Sequence, residues 1–179
     1  MDLSTDPLHN LVHRQVKRSI QLLVEAECWS PALQLVYAGI DTMAWLGAPP
    51  TQDNVTRKDF IAWASRYVQF PGREQLTGED LYGARCAILH QHAAESDLSR
   101  QGKCRIVGYY VGDSAPPVIF KAKVDPMMVL VSVTGVVDAF FRGVDSSLVD
   151  LFADPKKARV AEQRLQSVTI ELPYDSGNK

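Results

Sequence analysis

Residues 31–46 constrain the fold more than any other segment. Leu33, Leu35, Val36, Ile40, Met43, Ala44 and Trp45 leave almost no polar face on a helix of this length. A helix that is apolar nearly all round must be enclosed by other elements, so this one is expected at the centre of a helical protein. Pro31 can open it, because a first helical turn tolerates a missing N–H, and Gly47 with Pro49 and Pro50 closes it. Its one acid, Asp41, shares a narrow polar stripe with Gln34. A charge there must be solvated or paired. Asp41 could orient a cation on a neighbouring element or face water at a groove.

The surrounding segments supply helices to enclose it. Residues 7–27 carry Val12, Val16, Ile20, Leu23 and Val24 at helical spacing, with charged side chains elsewhere on the cylinder. Thr56 followed by Asp59 forms a capping-box signal before Phe60, Ala64 and Tyr67, and Pro71-Gly72 ends that third helix. Thr77 followed by Asp80 repeats the signal, which starts a fourth helix near Gly78 that runs to about His90. After Gly102 the β-rich runs 106–111 and 118–120 predict a small hairpin. Asp125-Pro126 can cap a fifth helix with Leu130, Val133, Val137, Phe140 and Val144 on one face, and its β-branched residues leave strand as the alternative. Asp154-Pro155 starts a further helix to about Gln166, residues 168–172 read as a strand, and 175–179 as a frayed end. The expected fold is mainly α: a bundle of four to five helices with a small β-hairpin insertion and a C-terminal strand. One domain over residues 1–179 is expected, with core helices at about 7–145, the hairpin at about 102–123 and a C-terminal extension at about 146–179.

With 179 residues, such a domain can bury about 70% of its unfolded surface without covalent staples. Cys28, Cys86 and Cys104 are odd in number and widely spaced, against both a disulfide framework and a zinc site. No apolar run approaches the roughly 20 residues of a membrane span, and residues 1–7 lack the order of a signal peptide, so a cytoplasmic protein with no membrane partner is expected. The net charge of −2 is uneven: residues 100–123 hold Arg100, Lys103, Arg105, Lys121 and Lys123 against Asp113. These five cations are either a solvated face or a track for RNA.

The fourth helix carries the candidate chemistry. Arg85 has Leu81 and Tyr82 one turn before it and Ile88 and Leu89 one turn after, so its guanidinium projects from an apolar stripe. A half-buried arginine requires an anion, either an internal acid such as Asp41 or Glu79, or a carboxylate or phosphate ligand. His90 is about 140° around the helix and ~7.5 Å along it from Arg85, in line with Gly83, Cys86 and Ala87, a strip narrow enough for another helix to approach closely. An imidazole in such surroundings can be poised near neutrality for proton transfer, or it can simply cap or pack the helix end. His92 would return to the face of Arg85 if the helix continued. His9 and His13 have a ligand-like spacing but no third ligand, so no metal is expected. Phosphate-loop, dinucleotide, G-x-S-x-G and C-x-x-C patterns are all missing from the chain, which argues against nucleotide-triphosphatase, dehydrogenase, hydrolase and redox chemistry.

Arg85-Cys86-Ala87-Ile88-Leu89-His90, preceded by Leu81-Tyr82 on a helix, resembles the R-x(4–6)-H motif of HEPN domains, helical bundles that include many metal-independent ribonucleases. His90 fits the shortest form of the motif and His92 the longest. The resemblance implies a homodimer with two motifs facing each other and RNA cleavage that leaves a cyclic phosphate, without a cofactor and without DNA as partner. In that chemistry Arg85 would hold the scissile phosphate and His90 would move the 2′-hydroxyl or leaving-group proton, with Asp41, Tyr82, Cys86 and His92 in support. A role in defence or stress follows from the same resemblance. The family often carries Asn, Asp or His directly after the arginine, whereas Cys86 stands here. The alternative is a non-catalytic dimer of the same fold that binds a nucleotide or a protein partner.

Overall fold

The computed structural model describes residues 6–91, 95–112, 119–121, 123 and 125–167, apart from the side chains of His90, Gln91 and Phe120. A π-helical stretch, His9–Arg18, runs directly into α1 (Ser19–Glu25), and α2 (Trp29–Gly47) and α3 (Arg57–Tyr67) follow. The remaining elements are α4 (Gly78–Gln91), a short α5 (Asp97–Arg100), β1 (Ile106–Tyr110), β2 (Ile119–Lys121), β3 (Met128–Ser132), α6 (Val133–Ala153) and α7 (Pro155–Leu165). The protein is mainly helical with one small sheet, as the sequence predicts.

α2 is the central helix. It packs against the π-helical stretch, α1, α3, α4, α6 and α7, and Leu33, Val36, Tyr37, Ile40, Met43 and Leu46 are all buried. Each such side chain contributes roughly 1.5–3 kcal/mol by leaving water. Gly39 lets α6 come close, since a Cβ there would lie 2.5 Å from the Phe140 ring. Past Gly47, the end of α2 is held by a distant residue. Arg164 of α7 donates to the carbonyls of Trp45 and Ala48 at 2.6 Å and of Pro49 and Gln52 at 2.8 Å, and lies over the Trp45 ring. A planar guanidinium can serve several helix-end carbonyls at once.

The local start signals form as the sequence implies. Thr56 and Asp59 make a complete capping box, with the Asp59 carboxylate accepting the Thr56 amide at 2.8 Å. At α4 the Thr77 amide donates to Asp80 at 2.9 Å and the Asp80 amide to the Thr77 hydroxyl at 3.1 Å. Asp154 caps α7 through the amides of Lys156 and Lys157, ahead of Pro155.

The sheet departs from the expected hairpin. Both predicted strands are present, but β3 lies between them, giving the order β1-β3-β2. β1 runs parallel to β3, with Ile106 opposite Met128 and Tyr110 opposite Ser132, and β2 runs antiparallel, with Ile119 opposite Val131. The fifth helix accordingly begins later than Asp125-Pro126. Residues 128–132 alternate in burial, with Val129 and Val131 inward, which is strand periodicity. The Ser132 hydroxyl then accepts the Gly135 amide and starts α6. Asp125 instead holds a turn by accepting the Met127 amide. The expected strand at 168–172 and frayed end at 175–179 lie outside the described residues. Among the described residues no helix is long and apolar enough to cross a membrane.

Candidate functional site

Arg85 is paired with Asp41. Its Nε and Nη2 donate to Asp41 Oδ2 at 3.0 and 2.8 Å, joining α4 to the central helix. Of the two acids open in the sequence, the partner is the one on α2, which packs against α4. Both side chains remain partly open to solvent, at 22% for Arg85 and 28% for Asp41. Burial alone would lower the arginine's pKa, but the Asp41 hydrogen bond and charge outweigh it and hold the guanidinium firmly protonated.

Tyr82 lies one turn before Arg85, and the guanidinium carbon sits 5.8 Å from its ring centroid. A second arginine, Arg57 at the first position of α3, lies 5.2 Å from the same centroid, and Phe60 meets the ring edge-on at 5.4 Å. Tyr82 is therefore fixed by Phe60 and flanked by two cations. Burial raises its phenol pKa, reinforced by the neighbouring Cys86, while the two arginines act in the opposite direction. Sequence reasoning missed Arg57, which next to a helix cap reads as an ordinary solvated side chain. The only available signal was a cation one position after a capping threonine, close to the site once α3 packs on α4.

The strip Gly83, Cys86, Ala87 does not present the free face that the sequence suggests. A Cβ at Gly83 would lie 2.4 Å from Cys104 Sγ and 3.5 Å from Ser96 Oγ, and Ala87 is buried. The chain's own 96–104 segment occupies the close approach that a second helix would need. Cys86 is half-buried beside Tyr82 and Arg85. His90 stands in the last turn of α4, and His92 lies outside the described residues.

The five basic residues separate into two kinds. Arg105 is engaged within the fold. It donates from Nε and Nη2 to Asp80 Oδ2 at 3.0 and 2.6 Å and from Nη2 to the Gln75 carbonyl at 2.6 Å, while its backbone amide reaches Asp80 Oδ1 at 2.8 Å. These bonds tie Arg105 to α4 just ahead of β1 and pair its charge with Asp80. Arg100 pairs with Asp97 one turn away on α5, and Lys103, Lys121 and Lys123 are exposed. Among the described residues no group of three or more His, Cys, Asp or Glu side chains is placed to hold a metal. Compared with protein-family models, curated proteins and solved structures, the chain gives no match.

Proposed function

We propose that this chain is a HEPN-like, metal-independent endoribonuclease that cleaves single-stranded RNA in a defence or stress response, with Arg85 gripping the scissile phosphate and His90 moving the proton. Asp41 is then a positioning residue that presents the guanidinium at the rim of α2 and α4. The observation that carries this reading is the open Arg85–Asp41 pair. Two of the arginine's five N–H donors go to the acid, and both side chains keep contact with water. A phosphate can approach such a group and share or take over its hydrogen bonds, at far lower desolvation cost than at a closed pair. Because Arg85 and His90 diverge by about 140° on one helix, phosphate grip and proton transfer converge most easily when a second copy contributes across a cleft. That contact must avoid Gly83 and Ala87, which the chain itself covers.

The test is incubation of the pure protein with mixed RNA in chelator. Cleavage leaving a cyclic phosphate is expected, lost in Arg85→Ala and in His90→Ala while the His90 variant melts like the parent. Cleavage that needs magnesium, or that survives both substitutions, overturns the reading. A second reading, a non-catalytic dimer binding a nucleotide or protein partner, draws on the same pair, since Asp41 already satisfies the arginine. RNA bound but left intact by the parent protein would select it.

A further inference from the structure

We infer that Arg57 and Arg85, on either helix flanking the Tyr82 ring, form a two-point site for closely spaced phosphate groups, with Arg57 gripping a phosphate next to the one held at Arg85. Three observations meet there. Both guanidinium carbons lie within 5.8 Å of one ring centroid, so their separation is at most about 11 Å, close enough for the two to serve neighbouring phosphates. Arg57 is exposed and, among the described residues, has no carboxylate partner, so its charge is available. Asp41 offsets one of the two cations and leaves the other uncompensated. The adjoining acid Asp80 is matched by Arg105 and does not neutralise Arg57.

The geometry is also held in place before any ligand arrives. Phe60 fixes Tyr82 edge-on, Asp41 fixes Arg85, and the Thr56–Asp59 capping box fixes the first turn of α3 from which Arg57 projects. A planar guanidinium resting on an aromatic face keeps its N–H edge free for an anion. Assignment of this site to RNA rests on the function proposed above. The site itself requires only adjacent phosphates, from a phosphodiester chain or from a phosphoanhydride.

The experiment is a salt titration of binding to a labelled 2′-O-methyl oligoribonucleotide, which lacks the attacking hydroxyl, alongside calorimetric titration with pyrophosphate. Arg57→Ala should weaken oligonucleotide binding about tenfold and reduce the slope of log K against log salt by about 0.7, one phosphate contact of a single strand. Arg57→Lys should restore the slope. Arg66→Ala, on the same helix and ion-paired with Asp150, should leave the slope unchanged. If the parent binds the oligonucleotide and Arg57→Ala behaves like Arg66→Ala, the two-point site is overturned while the RNA reading stands. If pyrophosphate binds through both arginines and the oligonucleotide does not bind, the site stands and the RNA reading falls. Binding of neither probe, or indifference of both to Arg57, overturns the site.

Discussion

Two arginine–aspartate pairs tie α4 to its surroundings, and they differ in what surrounds the acid. Asp80 is 3% exposed and accepts from the Thr77 amide, the Arg105 amide and two guanidinium nitrogens, so one carboxylate caps α4 and anchors β1. Asp41 is 28% exposed and accepts from Arg85 at one oxygen. In the first pair the acid is enclosed and only the arginine, 24% exposed, reaches water. In the second both partners reach water, so the acid can release its hydrogen bonds to solvent when a ligand takes the arginine. Residue type alone does not separate the two, since the difference lies in the number of other donors that converge on the carboxylate.

The largest effect should come from opening the closed pair. Arg105→Ala leaves Asp80 with little access to water and without its counter-charge, and is expected to destabilise by about 3 kcal/mol in denaturant unfolding; a loss below about 1 kcal/mol would erase the distinction. The same pair sets an acid response. Burial alone would raise the Asp80 pKa, but Arg105, Thr77 and the backbone amides outweigh it and hold it below the ordinary 3.8. Its stabilising contribution is therefore fully present above that value and drains away as pH falls through the lowered one. Asp80→Asn should remove this part of the acid dependence of the melting temperature.

A middle-sized effect is expected at the covered strip. Gly83→Ala gains up to about 1 kcal/mol of helix preference yet drives a methyl into Cys104 Sγ, for a net loss of about 1–2 kcal/mol. Cys104→Ala in the same chain should recover most of it, a coupling that a double-mutant cycle reads directly. Recovery that fails would mean that α4 is not packed on the 96–104 segment. The smallest effect belongs to the open pair: Asp41→Asn should change stability by about 1 kcal/mol or less. A loss matching that of Arg105→Ala would make the two pairs equivalent and weaken the case for a site at Arg85.

Features set by short-range chemistry were legible from the sequence. The capping residues Thr56, Thr77 and Asp154 placed three helix starts, and the apolar circumference of α2 placed it at the centre. What was not legible depended on distant partners. A strand seeking a parallel neighbour across some twenty residues leaves no local mark, so β1 and β2 looked like a hairpin until β3 came between them. Gly83 and Ala87 signalled close approach without saying what approaches. Arg105 and Lys123 look alike as surface cations, and only the position of Asp80 parts them. At the site, Asp41 and Arg85 were recognisable singly and their pairing was one of several options. Arg57 escaped because its relevance arises from the packing of α3 on α4.

Carbonyls at the end of α2 and in the turn after it, from Trp45 to Gln52, accept from Arg164, between 112 and 119 positions later in the chain. While the chain is being synthesised, water must stand in for Arg164 at those oxygens until α7 has emerged, beside the local bond from the Ala48 amide to the Trp45 carbonyl. Closing so long a loop is a slow, late event, because its entropy must be lost before the contact forms. The Arg164 clasp on the end of the central helix is thus expected to close near the end of folding. An Arg164→Ala chain should collapse at the parent rate and then unfold faster, the kinetic mark of an interaction that forms after the transition state.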